Sequence, residues 1–140
     1  MTRSIVVAAV TAAVLLAGCG ESKQDKATSQ VCSARADIKK QVDTLSGMTA
    51  STITLNAVKS SLQGIGEGVT QIANAQGDLS SDRKAQVEQA NSAFKSAVQS
   101  VSQTLLKSLS LSGARQQLKT AAAQLQSSYK QALAPIDCSS

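Results

Sequence analysis

The stretch Ser108-Leu109-Ser110-Leu111-Ser112-Gly113-Ala114 (SLSLSGA) decides between two folds for this chain of 140 residues. Apolar residues lead into it at Val87, Ala90, Phe94, Ala97, Val101 and Leu105, reaching Leu109 within it. A second series follows at Leu111, Ala114, Leu118, Ala121, Leu125, Tyr129, Ala132 and Ile136. Steps of three and four trace one face of a helix, whereas a strand would alternate every two residues. If the stretch is a break, the two series are two helices. If it is not, they merge into one helix of over ~50 residues, far beyond the usual length. Only Ser110, Ser112 and Gly113 argue for the break.

The rest of the chain repeats the pattern with clearer punctuation. Leu55, Val58, Leu62, Ile65, Val69 and Ile72 form one narrow seam, and Val31, Ala34, Ile38, Val42 and Leu45 a shorter one. Between them, SGMTAST (46–52) offers Gly47 as a left-handed C-cap and Ser51 or Thr52 as the next N-cap. QGDLSSD (76–82) repeats the device with Gly77, then Ser80 or Ser81, and places Asp82 in a first turn where the helix dipole favours an acid. The expected class is all-α. One Phe, one Tyr and no Trp leave a core of Ala, Val, Leu and Ile, thin enough to need very regular packing or a covalent staple.

The N-terminal residues carry a different signal. Arg3 precedes Ile5–Ala17, an uncharged and mostly apolar run of 13 residues. That is short of the ~20 residues a transmembrane helix needs and matches the apolar region of a signal peptide. Leu16-Ala17-Gly18-Cys19 then resembles the lipobox of bacterial lipoproteins. The resemblance covers about the first 20 residues only and says nothing of the folded domain. It implies cleavage before Cys19, a diacylglycerol thioether on that thiol, and anchoring on the outer face of a cell membrane. Gly20 stands where lipoproteins retained at an inner membrane usually carry Asp, which hints at an outer membrane where one exists. On this reading residues 1–18 are the signal peptide, 19–29 (CGESKQDKATS) a lipidated flexible tether, and 30–140 the folded domain.

The remaining cysteines bear on the helix count. Cys32 is expected in the first turn of the first helix, and Cys138 follows Pro135 at the end of the last. Export favours disulfides. With lipid on Cys19, one pair is left. In an up-down-up-down four-helix bundle the start of helix one and the end of helix four lie at the same end. With three helices they lie at opposite ends. The pair therefore supports a break at 108–114 and a four-helix bundle whose two ends are joined by Cys32–Cys138. Two free thiols, or two metal ligands, are the alternatives, and two cysteines without His supply too few ligands for a metal.

LQGIGEGV (62–69) places Gly64, Gly66 and Gly68 inside the second seam. Each glycine costs ~1 kcal/mol relative to alanine there. No strand precedes the string and no Lys-Ser/Thr follows, so it is not a phosphate loop. Close packing within the bundle, a flexible point or kink, and a partner contact remain open.

Chemistry is sparsely provided. Histidine is absent, the nine acids are scattered, and the serines lack a visible activating base. No enzyme activity, cofactor or metal is expected. The charge of +5 is spread along helices without aromatic residues between, which argues against nucleic acid. The expected role is that of a lipid-anchored, extracytoplasmic and non-catalytic scaffold, adaptor or regulator. Its partners are membrane lipid through Cys19 and another envelope protein. The competing role is a carrier of a small apolar ligand held between the helices, which the small Ala-rich seams disfavour.

Overall fold

The structure is a computed structural model and describes residues 22–48, 52–108 and 114–138. Four α-helices are present among these residues: α1 (Lys23–Ser46), α2 (Leu55–Ala75), α3 (Ser81–Ser108) and α4 (Ala114–Ala132). A single 3-10 turn, Gln76–Asp78, links α2 to α3. Helix α1 packs against α2 and α4, and α3 packs against the same two, while the backbones of diagonal helices stay apart. This is an up-down-up-down four-helix bundle. Residues 109–113, with most of the ambiguous stretch, lie outside the described residues. The chain nevertheless ends one helix at Ser108 and starts another at Ala114.

The seams face inward. Val31, Ala34, Ile38, Val42 and Leu45 of α1 meet Val58, Leu62, Ile65, Val69 and Ile72 of α2, each under a tenth exposed. Helix α3 contributes Val87, Phe94, Val98, Val101 and Leu105, and α4 contributes Leu118, Ala121, Ala122, Leu125 and Tyr129. Phe94 and Tyr129 meet edge to face with ring centroids 6.3 Å apart. Burial pushes the Tyr129 phenol above its ordinary pKa, against the opposing pull of Arg35 and Lys39.

Several expectations need correction. Residues 23–29 are the first two turns of α1 rather than a flexible tether. Ser22 and Asp25 form a capping box. The Ser22 hydroxyl accepts from Asp25 N at 3.1 Å, and the Asp25 carboxylate accepts from Ser22 N at 3.3 Å. Ala27 then extends the buried seam four residues before Val31. Cys32 consequently sits in the third turn of α1, not the first.

Gly47 closes α1 through its N–H to Asp43 O at 2.9 Å, yet its φ is −87°, in the right-handed region. No described glycine has positive φ, so neither Gly47 nor Gly77 is a left-handed cap. The N-cap of α2 is Thr54, whose hydroxyl accepts from Ala57 N at 3.0 Å, rather than Thr52. Ser51 lies outside the described residues. Leu55, placed first in the α2 seam, is 45% exposed. In α3 the buried stripe runs through Asn91 and Val98 rather than through Ala90 and Ala97.

Candidate functional site

Three features of the bundle bear on function. The first is its stapled end. Beyond α4 the chain turns over Tyr129 O, which accepts from the N–H groups of both Leu133 and Ala134 at 2.9 Å. The segment 134–138 then folds back beside α1, where Cys138 is bonded to Cys32 with their Cα atoms 5.6 Å apart. Two arginines hold this segment by its carbonyls. Arg35 Nη1 donates to Ala134 O at 3.1 Å and Ile136 O at 2.5 Å. Arg83 Nη2 donates to Asp137 O at 2.8 Å while its Nη1 donates to Thr28 Oγ1 at 3.1 Å, tying the start of α3 to α1 and to the C-terminal segment at once. The Arg83–Asp137 charge pair is loose at 3.9 Å and adds little.

The second feature is the glycine string, which the structure sorts by position. Helix α2 runs through all three glycines without interruption. A Cβ built on Gly68 falls 2.5 Å from Ile38 Cγ1 and 3.3 Å from Ala34 O, so a side chain here would collide with α1. A Cβ on Gly64 meets only the side chain of Gln41, at 3.0 Å. A Cβ on Gly66 meets nothing within 4 Å.

These environments dictate opposite outcomes for one substitution. Gly68→Ala must push apart a packed pair of helices and is expected to destabilise the domain by about 1–3 kcal/mol. Gly66→Ala adds a methyl in open space to a helix interior and is expected to stabilise it by up to about 1 kcal/mol. Urea unfolding of the two variants, in solutions dilute enough to keep the chain monomeric, measures both. Equal signs would contradict the packing described.

The third feature is a groove of about 600 Å³ on the outer face between α2 and α3. Its α2 wall is Gly66, Thr70 and Ala73, all short, and its α3 wall is Glu88, Ser92, Lys95 and Gln99, long except at Ser92. From Gly66 to Gln76 it runs about 15 Å, at the helical rise of ~1.5 Å per residue. Asn91 and Val69 lie in it, and Asn91 Nδ2 donates to Val69 O at 3.0 Å. That bond fixes the amide orientation and leaves Asn91 Oδ1 buried, with no donor among the described residues. Gln76 Oε1, at the end of the groove, is in the same state. A buried acceptor left without a donor costs about 1–3 kcal/mol. Asn91 is 5% exposed and occupies a seam position four residues after Val87 and three before Phe94. A polar residue in an apolar stripe was the signal available in the sequence. A second groove, about 390 Å³ between α3 and α4, is lined by neutral side chains such as Gln89, Ala93 and Gln131 and holds no such orphan.

Cys19 lies outside the described residues. No cluster of His, Cys, Asp or Glu able to hold a metal ion occurs among those described. No described helix is long and apolar enough to cross a membrane.

The fold and its closure define an all-α four-helix bundle sealed by one disulfide. No protein-family model matches the chain, and neither a curated protein nor a solved structure matches it.

Proposed function

We propose that the protein is a lipoprotein of the cell envelope, held on the extracytoplasmic face of a membrane by acylated Cys19, where it acts through its helical surface rather than by catalysis. The observation that carries this reading is the Arg3 to Cys19 leader: a cation, an uncharged run of 13 residues, and Leu-Ala-Gly directly before the cysteine. The Cys32–Cys138 bond suits the oxidising compartment to which such a leader delivers a chain. Cleavage before Cys19 removes Arg3 and leaves a net side-chain charge of +4.

The geometry of α1 sharpens where the domain would sit. Only residues 20–22 separate Cys19 from Lys23, the first residue of α1. Three residues reach at most ~11 Å when fully extended, against ~35 Å for a ten-residue tether. The stapled end would therefore rest at the bilayer surface, with the end of α1, the start of α2 and the end of α3 at the far end. Leu55 and Leu106, the two large hydrophobics that stand out as exposed, are at that far end, where an envelope partner has access to them.

Cell fractionation in detergent tests the anchor. The wild-type chain is expected in the detergent phase, labelled by a palmitate analogue, and Cys19→Ser is expected unlabelled in the aqueous phase or as unprocessed precursor. Mature Cys19→Ser protein that stays in the detergent phase would overturn the reading.

A further inference from the structure

The fold of a single chain accounts for Gly68 and leaves Gly66 unexplained: its φ does not call for glycine, and a Cβ built on it would meet nothing within 4 Å. Gly66 instead forms the low wall of the α2–α3 groove, beside Asn91, whose buried Oδ1 lacks a donor. We propose that this groove is the interface of a parallel homodimer, with a second copy of the chain packed on it about a two-fold axis that runs along the helices.

Three observations specify that occupant. Asn91 bonds to Val69 O, so residues 69 and 91 stand at one height, and in antiparallel helices residue 66 stands level with 94 and 95. A two-fold axis parallel to the helices sets α2 of each copy against α3 of the other at equal height. The second copy's Lys95 then lies over Gly66, and its ammonium comes beside Glu67, which is exposed. The high α3 wall of each copy fits the low α2 wall of the other, twice. At the axis the two Asn91 side chains share one height. Each amide has a second N–H to donate to the other's Oδ1 once the exposed rim side chains turn aside, much as a lone Asn sets register in a parallel coiled coil. Finally, three residues between Cys19 and α1 allow both copies to reach one bilayer only if their stapled ends point the same way. The inference rests on the lipid-anchor reading for this choice of orientation and not for the choice of groove.

The experiment uses the full-length chain in intact cells, with two differently tagged copies produced together. Gly66→Cys in one and Lys95→Cys in the other face each other only in the parallel dimer. Glu88→Cys with Lys95→Cys face each other only in an antiparallel one. Gly66→Cys with Gln124→Cys, on the exposed side of α4, is the control. Mild oxidation is expected to give a dimer carrying both tags from the first pair, several-fold above the control, and none from the second. A first pair no better than the control overturns the groove as a self-interface, as does crosslinking of Gly66→Cys to a different protein alone. A product from the second pair overturns the parallel orientation. Fractionation of Cys19→Ser reads the anchor separately, so the two readings fail independently.

Discussion

Removing the Cys32–Cys138 bond is expected to lower the melting temperature of the domain by roughly 15–20 °C. The two cysteines are 106 residues apart in sequence. On the chain-entropy account, closing a loop of that size contributes about 4.7 kcal/mol by restricting the unfolded chain. A domain of this size shifts by roughly 4 °C per kcal/mol. The paired variant Cys32→Ser, Cys138→Ser avoids leaving one reactive thiol. Circular dichroism melts of that variant, and of the wild type with and without reductant, make the measurement. Arg35 and Arg83 would still hold the carbonyls of 134, 136 and 137, so the end of the bundle need not fray in the folded state. The loss is therefore expected in the unfolded-state entropy, with the helical signal at low temperature nearly unchanged. A drop under about 5 °C would show that the reduced unfolded chain already keeps its ends together.

The helix count was legible because two weak signals supported each other. Ser110, Ser112 and Gly113 alone could not separate one long helix from two, but a disulfide between Cys32 and Cys138 needs an even number of antiparallel passes. The local chemistry at the helix ends was less legible. Ser22 and Asp25 form the serine-to-acid spacing of a capping box, yet the polar run GESKQDKATS concealed it, since its only apolar residue is Ala27. One alanine is a faint mark in a composition so rich in alanine. It becomes decisive only when Val31, Ala34 and Ile38 continue the same face. Gly47 misled for a different reason. A left-handed cap is one of several ways to end a helix, and here α1 ends at Gly47 with the glycine still right-handed.

The groove was the least legible part. An apolar count places Ala90 and Ala97 on the α3 stripe, because alanine ranks as apolar and asparagine does not. The structure turns the helix so that Asn91 and Val98 face inward. Val87, Phe94, Val101 and Leu105 belong to either stripe, so the choice falls on the positions between them, where Asn91 and Val98 are buried and Ala90 and Ala97 are half-buried. The glycine string showed that α2 needed close approach somewhere, without saying to what. Only the three-dimensional packing separates Gly68, whose Cβ would collide with α1, from Gly66, whose Cβ would meet open space.

Phe94→Ala is expected to cost about 3–5 kcal/mol, the other large effect in the domain. Phe94 is the largest of the fully buried side chains, in a core whose other apolar members are aliphatics and one tyrosine. Its edge-to-face contact with Tyr129 spans α3 and α4 and adds about 0.5–1.5 kcal/mol beyond area alone. The neighbouring layers cannot close over the hole. The disulfide fixes one end of the bundle, and Gly68 already brings α1 and α2 into contact, leaving little travel for inward collapse. The variant should therefore keep a dry cavity able to take up benzene. Thermal melts in buffer and in benzene-saturated buffer measure both effects: a large fall in melting temperature, and partial recovery with ligand through preferential binding to the folded state. The same pair of melts on the wild-type chain separates scaffold from carrier. A scaffold packed around Phe94 has no space for benzene and should not respond. A wild-type chain raised by several degrees would mean that the helices part around apolar guests with Phe94 in place, and would favour the carrier.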